Sequence, residues 1–258
     1  MIANNSVVTN SATLKERVKR VLFSHAYAAG PVSALLETVT QVGPVAIFGG
    51  LLRDLCFFPP SPTPSDIDMV VATDSSTHLE NSLSRLTPNL NLNRYGGHRI
   101  ALQGWTFDVW ALDQTWAFKN RLLAGRTFGD LVKTTFFNWD AIVFEVAAET
   151  FHYLPNYFQC LDERILEINL EPNANPPGNA ARALRFLKSR QACWGPKLTS
   201  YMYKFLSHVL EQQSPSIPSK YETYLTGSEA RSVFRALDKH FSAHARGTFA
   251  YSSTETTP

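Results

Sequence analysis

The sequence predicts an α+β protein in which a mixed sheet flanked by helices is followed by a small all-helical region. Up to about residue 172, short apolar runs of strand type alternate with amphipathic helical patterns. After Pro176 and Pro177, apolar residues recur at helical spacing. The 258 residues suffice for one large domain or two small ones, and 44% hydrophobic residues are typical of a globular protein. We therefore expect a head over residues 1–172 and a helical region over residues 173–258.

The first part of the head is predicted to contain two helices, a strand and a short third helix. Leucine and valine recur at helical spacing among lysines and arginines from Leu14 to Ala28, and a second helix spans Val32–Val42 before Gly43 and Pro44 end it. The apolar run Val45–Phe48 predicts a buried strand that enters the glycine pair at residues 49 and 50. The segment Leu51–Phe57 can form a helix that begins at this turn.

The second part of the head is richer in strands. Predicted strands cover Ile67–Ala72, Leu90–Asn93, Arg99–Leu102 and Thr106–Leu112, with glycines at 96, 97 and 104 marking turns. Helices are predicted over Ser75–Leu86, where a Ser/Thr cluster can cap the first turn, and over Phe128–Val132. Phe136–Glu145 is a mixed apolar run, and Leu161–Leu170 turns from loop to strand.

The C-terminal region is predicted to hold three helices, at Asn179–Ala192, Leu198–Glu211 and Gly227–Phe241. The Ser/Thr-rich tail Thr248–Pro258 is expected to be disordered. From Asn179 onward eleven Lys/Arg oppose five Asp/Glu, whereas the preceding residues hold thirteen against seventeen. This asymmetry suits an acidic, metal-binding half and a phosphate-contacting half, although a solvated basic helix surface gives the same counts.

Composition excludes several other classes of protein. No run of 18 or more apolar residues is present, so no membrane span is expected, and the N-terminal residues lack a signal pattern. A cytoplasmic location is the resulting expectation. Cys56, Cys160 and Cys193 lie far apart and predict reduced thiols rather than a metal site or a disulfide framework.

The chemistry of the chain is concentrated between residues 45 and 71. Asp66 and Asp68 alternate along a predicted strand, so both carboxylates lie on one face, where they repel each other unless a cation lies between them. Asp108 lies on a later predicted strand. Three such carboxylates could bind two Mg²⁺ ions about 4 Å apart. The Gly49-Gly50 turn offers backbone N–H groups and close approach for a triphosphate.

These motifs resemble a known superfamily. The run FGGLLRDL followed by SDIDMVV resembles the head domain of the DNA polymerase β-like nucleotidyltransferases, most closely the bacterial CCA-adding enzymes and poly(A) polymerases. Those proteins carry a GG, an RD pair and a DxD in the same order. Thr134–Phe144 lies where the family has its RRDFTxNA motif. Leu161–Asn169 and Ala181–Phe186 resemble the start of the neck that follows the head.

The resemblance implies an Mg²⁺-dependent enzyme that moves a nucleoside monophosphate from an NTP, such as ATP, to an acceptor hydroxyl and releases pyrophosphate. The acceptor implied is a tRNA or another RNA 3′ end. Asp66 and Asp68 would hold both ions, and Asp108 would complete the shell of the second ion and help deprotonate the acceptor. Gly49 and Gly50 would cradle the triphosphate.

Further binding roles are implied for residues outside the carboxylates. Arg53 would contact the triphosphate or the carboxylates beside it, and Asp54 would brace the turn. The family's double arginine is Thr134-Thr135 here, and the asparagine that it associates with ribose recognition aligns with Asp140, so base and sugar selection departs from the family pattern. Arg182 and Arg185 have near-helical spacing and could reach the nucleotide base or an RNA backbone.

Two alternatives remain open from the sequence. The first is a toxin-type or defence-type nucleotidyltransferase that modifies tRNA, a protein hydroxyl or a small molecule. The second, from a different class, is a catalytically silent module that binds nucleotide or RNA. The sequence does not determine the preferred NTP, the number of nucleotides added or the oligomeric state.

Overall fold

The computed structural model describes residues 7–24, 29–57, 66–87, 90–211, 227–243 and 247–251. The chain forms two compact units, residues 1–162 and residues 163–258. The Pro-rich segment between the third predicted helix and the strand with Asp66 lies outside the described residues, as does the end of the first predicted helix. No helix among the described residues is both long enough and apolar enough to cross a membrane.

The first unit consists of a seven-stranded sheet with helices on both faces. Its helices are α1 (Ser11–Phe23), α2 (Ala29–Val39), α3 (Gly50–Phe57), α4 (Ser76–Leu86), α5 (Trp116–Lys119), α6 (Phe128–Leu131) and α7 (Tyr157–Asp162). Its strands are β1 (Val45–Phe48), β2 (Ile67–Val71), β3 (Asn91–Leu92), β4 (His98–Leu102), β5 (Trp105–Ala111), β6 (Ile142–Glu145) and β7 (Thr150–Tyr153).

The sheet order is β3-β4-β5-β2-β1-β6-β7, and β2 and β5 form the parallel pair in an otherwise antiparallel sheet. A two-residue turn joins β4 to β5, with Gln103 and Gly104 both at positive φ (50° and 83°). Paired positive φ values match the twist of a two-residue hairpin. This hairpin places Arg99 directly opposite Asp108.

Apolar side chains cover both faces of the sheet. On one face Ile47, Met69, Phe107 and Val109 are fully buried, and α3 and α4 pack near the strands that carry them. On the other face a second cluster joins alternate residues of the same strands to residues of α5 and α6; it includes Ala46, Val70, Trp110, Phe118, Leu131 and Val143. Because side chains alternate along a strand, Asp68 and Asp108 share this second face with Val70 and Trp110.

The second unit is mainly helical, with α8 (Pro176–Ser189), α9 (Pro196–Glu211) and α10 (Gly227–Ser242). Asn175 caps α8 by accepting a hydrogen bond from the backbone of Gly178 at 3.3 Å. A two-stranded ladder joins β8 (Ile165–Leu166), within the segment predicted to turn from loop to strand, to β9 (Cys193–Trp194), which the helical pattern of the region did not indicate.

The predicted fold class is confirmed, and besides β9 and the short helices α5 and α7, which were not predicted, three local differences stand out. Strand β7 was not predicted, because the turn before it contains no glycine and Glu149 takes the positive φ (50°). Helix α8 begins at Pro176, earlier than predicted, because proline is tolerated in a first helical turn. Phe249 lies in the tail expected to be disordered, yet it is buried and exchanges two backbone hydrogen bonds with Trp194, at 2.7 and 2.8 Å. The predicted boundary at residue 172 stays a prediction.

Candidate active site

The glycine turn after β1 lies beside the carboxylates of the neighbouring strand. Gly49 has a φ of +76°, a conformation that favours glycine, and donates a backbone hydrogen bond to the carbonyl of Ile142 at 3.1 Å. A Cβ atom added to Gly49 would lie 3.7 Å from Oδ2 of Asp68. Helix α3 starts at the next residue. The turn therefore brings unhindered backbone next to Asp68.

Sheet register aligns the other site residues in a row. Asp68 pairs with Phe48 on one side and with Asp108 on the parallel strand on the other side. Arg99 extends the row because it pairs with Asp108. Residues that pair directly across strands project to the same face of a sheet, so the register itself brings the two aspartates and the arginine together.

The guanidinium of Arg99 lies against these carboxylates. Its Nε donates to Oδ1 of Asp108 at 2.9 Å, and its Nη2 donates to Oδ2 of Asp108 at 2.5 Å and to Oδ2 of Asp66 at 3.4 Å. The Asp108 side chain is 6% exposed, against 48% for Arg99 and 43% for Asp66. The hydrogen bond with Asp108 and the charges of all three aspartates raise the pKa of Arg99, against the lowering effect of partial burial.

The carboxylates suit a divalent cation in chemistry. Asp66, Asp68 and Asp108 offer hard oxygen ligands of the kind that Mg²⁺ takes, and the cationic Nη2 of Arg99 already contacts two of them, Asp108 on β5 and Asp66 just before β2. Within the described ranges, no group of three or more His, Cys, Asp and Glu side chains is arranged as a metal site. The three carboxylates fit a metal ion, but the cation that contacts them in the structure is the guanidinium of Arg99.

A second, buried ion pair lies under the glycine turn. Arg53 is 4% exposed; its Nη1 donates to Asp140, and its Nε and Nη2 donate to the two oxygens of Asp54 at 3.0 and 2.9 Å. Burial lowers the pKa of Arg53, but the charges of Asp140 and Asp54 outweigh it and raise the pKa above its ordinary value. Asp140 ends the short 3-10 turn before β6. The pair therefore joins α3 to the entry of β6.

Buried side chains reinforce this junction. The hydroxyl of Tyr157 donates to the carbonyl of Trp139 at 3.0 Å, and the Cys56 thiol donates to the carbonyl of Leu52 at 3.3 Å. Burial raises the pKa of Tyr157 and raises that of Cys56 to about 12, so both groups stay protonated at neutral pH. Phe57 and Trp139 pack with ring centroids 4.8 Å apart. The backbone around Asp140 is thus held from several sides.

The structure brings together most, but not all, of the residues predicted for the site. Gly49 and Gly50 follow β1, Asp66 lies just before β2 and Asp68 at its start, and Asp108 lies beside Asp68 in the middle of β5. Arg53, Asp54 and Asp140 form the ion-pair group beneath the turn, and a Cβ added at Gly50 would lie 3.4 Å from Nη2 of Arg53. Their roles in binding stay predictions.

Arg182 and Arg185 lie on α8 of the second unit. Their guanidinium carbons lie 5.9 and 5.2 Å from the centroid of the Phe186 ring. The same unit contains a groove of about 630 Å³ whose lining includes Lys197, Lys204 and the ring of Tyr201. The ring of Phe186 is itself buried and the two arginines are half-buried, so this ring is not presented to solvent.

Arg99 was missed by the reasoning from sequence. A signal was present, because a two-residue turn at Gln103-Gly104 between the two predicted strands fixes the register that pairs residue 99 with residue 108. Without that step, Arg99 is one more charged residue on an exposed strand.

The fold is similar to that of CCA-adding enzymes of known structure. No protein-family model and no curated protein matches the sequence. Solved structures do match. A CCA-adding enzyme in complex with CTP superposes with a TM-score of 0.61 at 16% identity, covering 91% of this chain and 56% of that one.

Two further structures agree. The Thermotoga maritima CCA-adding enzyme in complex with tRNA gives a TM-score of 0.60 at 15% identity, with coverage of 90% and 55% of the two chains. A CCA-adding enzyme in complex with ATP gives 0.54 at 16% identity, with coverage of 80% and 52%. The chain thus spans little more than half the length of these proteins. The resemblance stated from the sequence motifs is confirmed at the level of the fold.

Proposed function

We propose that this chain is an Mg²⁺-dependent nucleotidyltransferase that transfers a nucleoside monophosphate from an NTP to an acceptor hydroxyl. The observation that carries the proposal is the row formed by Asp68 and Asp108 on the parallel strands β2 and β5, next to the Gly49 turn. Similarity to structures solved with CTP and ATP supports nucleotides as substrates. The cytoplasmic location stays a prediction.

Each part of the site has a distinct task. Asp66, Asp68 and Asp108 would hold Mg²⁺, with two ions expected, which when bound neutralises phosphate charge and favours ionisation of the acceptor hydroxyl. The backbone at Gly49 and Gly50 leaves room for the triphosphate at the start of α3, where the N–H groups of the first helical turn favour an anion, although that of Gly49 itself is donated to Ile142.

The transfer itself is a displacement at phosphorus. The acceptor oxygen forms a bond to the α-phosphorus, the bond from that phosphorus to the bridging oxygen breaks, and pyrophosphate leaves with the electron pair. We assign the acceptor proton to Asp108, which requires Arg99 to release at least one of the two oxygens that it holds.

Arg53 and Asp140 are assigned a supporting role. Because both are buried and paired, they fix the start of α3 against the entry of β6, and so hold the glycine turn in the conformation that the triphosphate would meet. Asp54, half exposed beside them, braces the guanidinium from the other side.

An RNA 3′ end, including that of tRNA, is the acceptor that we propose. Similarity to a structure solved with tRNA supports it, and so do the cations of the second unit, which include Arg182, Arg185, Lys197 and Lys204. Each cation that contacts a phosphate would add affinity that falls as salt rises.

Label transfer tests the proposal. The purified chain is incubated with Mg²⁺, each α-labelled NTP in turn, and total RNA or total protein. Incorporation into RNA is expected. Asp68→Asn should lower it at least about a hundredfold, equivalent to about 2.7 kcal/mol of transition-state stabilisation. Asp74→Asn is the matched control, because Asp74 is an exposed aspartate shortly after the far end of the same strand.

The outcomes separate the alternatives. Label found in protein or in a small molecule, and not in RNA, would identify that molecule as the acceptor in place of RNA. Mg²⁺-dependent nucleotide binding without any transfer would favour the silent module. Full activity in the double variant Asp66→Asn, Asp68→Asn would remove the mechanism altogether.

A further inference from the structure

Arg99, among the described residues, occupies a position that conflicts with the use of all three aspartates as metal ligands. It engages both carboxylate oxygens of Asp108, and its Nη2 also reaches Asp66. A divalent cation that binds Asp108 uses those same oxygens, and its charge repels the guanidinium that already contacts them. Guanidinium and metal therefore compete for one carboxylate.

The two partners differ in their freedom to move. The Asp108 side chain is 6% exposed and sits on β5, between β4 and β2, whereas that of Arg99 is 48% exposed and sits on β4. A half-exposed arginine can turn toward water at little cost, since its charge remains hydrated, whereas a buried carboxylate has no comparable alternative. When a metal ion replaces the guanidinium at Asp108, Arg99 would therefore move and Asp108 would stay in place.

We propose that Arg99 is a positioning residue that holds Asp108 ready in the metal-free protein and competes with divalent metal for it. This inference rests on the proposed function, because it takes the three aspartates as the metal site. Metal affinity in the free protein is then set by an exchange of cations, and removal of Arg99 strengthens metal binding rather than weakening it.

Direct titration with Mn²⁺ tests the proposal without any turnover. Free Mn²⁺ is measured by electron paramagnetic resonance in nucleotide-free protein at fixed ionic strength. Arg99→Gln is expected to tighten binding about tenfold, equivalent to about 1.4 kcal/mol. Arg94→Gln is the matched control: Arg94 is exposed nearby, where it stacks on Tyr95 with 4.8 Å to the ring centroid, and its loss makes the same change in net charge. It should change the affinity less than twofold.

Two more variants separate loss of the hydrogen bonds from loss of stability and of charge. Arg99→Gln leaves a buried carboxylate without its guanidinium, so thermal unfolding is followed by circular dichroism for every variant. Arg99→Lys keeps the charge but loses the two parallel hydrogen bonds, so it should fold like the parent and tighten Mn²⁺ binding about threefold. Adding Asp108→Asn to Arg99→Gln should abolish the gain.

Unchanged or weaker Mn²⁺ binding in both Arg99→Gln and Arg99→Lys would overturn the inference while leaving the proposed function standing, provided that the parent protein binds Mn²⁺ and Asp68→Asn does not. No Mn²⁺ binding in any variant would overturn both. An equal gain from Arg94→Gln would assign the effect to net charge and also overturn the inference.

Discussion

Replacing Asp140 by Asn should destabilise the first unit by about 3 kcal/mol. The substitution keeps the shape of the side chain and removes its charge, which leaves the guanidinium of Arg53 buried without one of its two described carboxylates. Loss of one partner from a buried pair costs about 3–5 kcal/mol. The lower end applies because Asp54 still binds Arg53.

Asp54→Asn supplies the internal comparison. The carboxylate of Asp54 contacts the same guanidinium, but its side chain is 42% exposed, against 7% for that of Asp140. Water can solvate the exposed side of that pair, so its loss should cost about 1 kcal/mol or less. The two variants thus remove the same charge from the same arginine at different depths.

Urea unfolding followed by far-ultraviolet circular dichroism measures the difference. With an m value of about 3 kcal/mol/M, a loss of about 3 kcal/mol lowers the unfolding midpoint by about 1 M. Asp54→Asn should lower the midpoint by about a third of that. A midpoint shift for Asp140→Asn no larger than that for Asp54→Asn would refute the assignment of Arg53 and Asp140 as the buried structural pair.

Three further results are expected. Glu149 pairs with Lys15 and Lys19 at 2.9 and 2.8 Å, and the hydrogen bonds from these lysines lower its pKa from 4.5 to about 2. Its stabilising contribution is therefore fully present above pH 4.5 and is lost as the pH falls toward 2. The melting temperatures of the parent and Glu149→Gln should differ at pH 7 in low salt and converge near pH 2. A difference in melting temperature that stays constant with pH would contradict this. Cys56 is fully buried with a pKa of about 12, so Ellman's reagent at pH 8 should leave it unmodified until urea unfolds the protein; modification at the rate of a free thiol would contradict its burial. Phe249→Ala should cost about 3 kcal/mol through the cavity that it leaves, measured by urea unfolding, and a cost below about 1 kcal/mol would show that this part of the tail is not packed.

Most of the fold was predictable because its strands carry strong local patterns. β1, β2 and β5 each alternate between the two buried faces, and glycines mark several of the turns between strands. Strand β7 was not predicted because the turn that pairs it with β6 contains no glycine, and β9 was not predicted because its two residues pair with β8, where Ile165 lies opposite Cys193. Short strands of this kind are determined by pairing, which a single sequence does not state.

The site divides in the same way. Alternation along β2 places Asp66 and Asp68 on one face, and the glycine turn is visible as a dipeptide. The ion pair between Arg53 and Asp140 joins residues 87 positions apart and depends on the antiparallel pairing of β1 with β6, so no local pattern reveals it. The pairing also gives a physical reason for an aspartate at residue 140, where the resembling family has asparagine: the charge neutralises a buried arginine.

The two arginines of the head show how burial separates structural from exchangeable ion pairs. Arg53 and Arg99 each hold a carboxylate that is less than a tenth exposed, through charge-assisted hydrogen bonds of the same chemistry. Arg53 is itself buried, so releasing its partner would leave both the guanidinium and the carboxylate as separated charges in the interior. Arg99 is half exposed, so its release leaves one charge in water and one carboxylate open to another cation. Depth, rather than the number of hydrogen bonds, is thus our ground for proposing Arg53 as part of the framework of the turn and Arg99 as the residue that controls metal access.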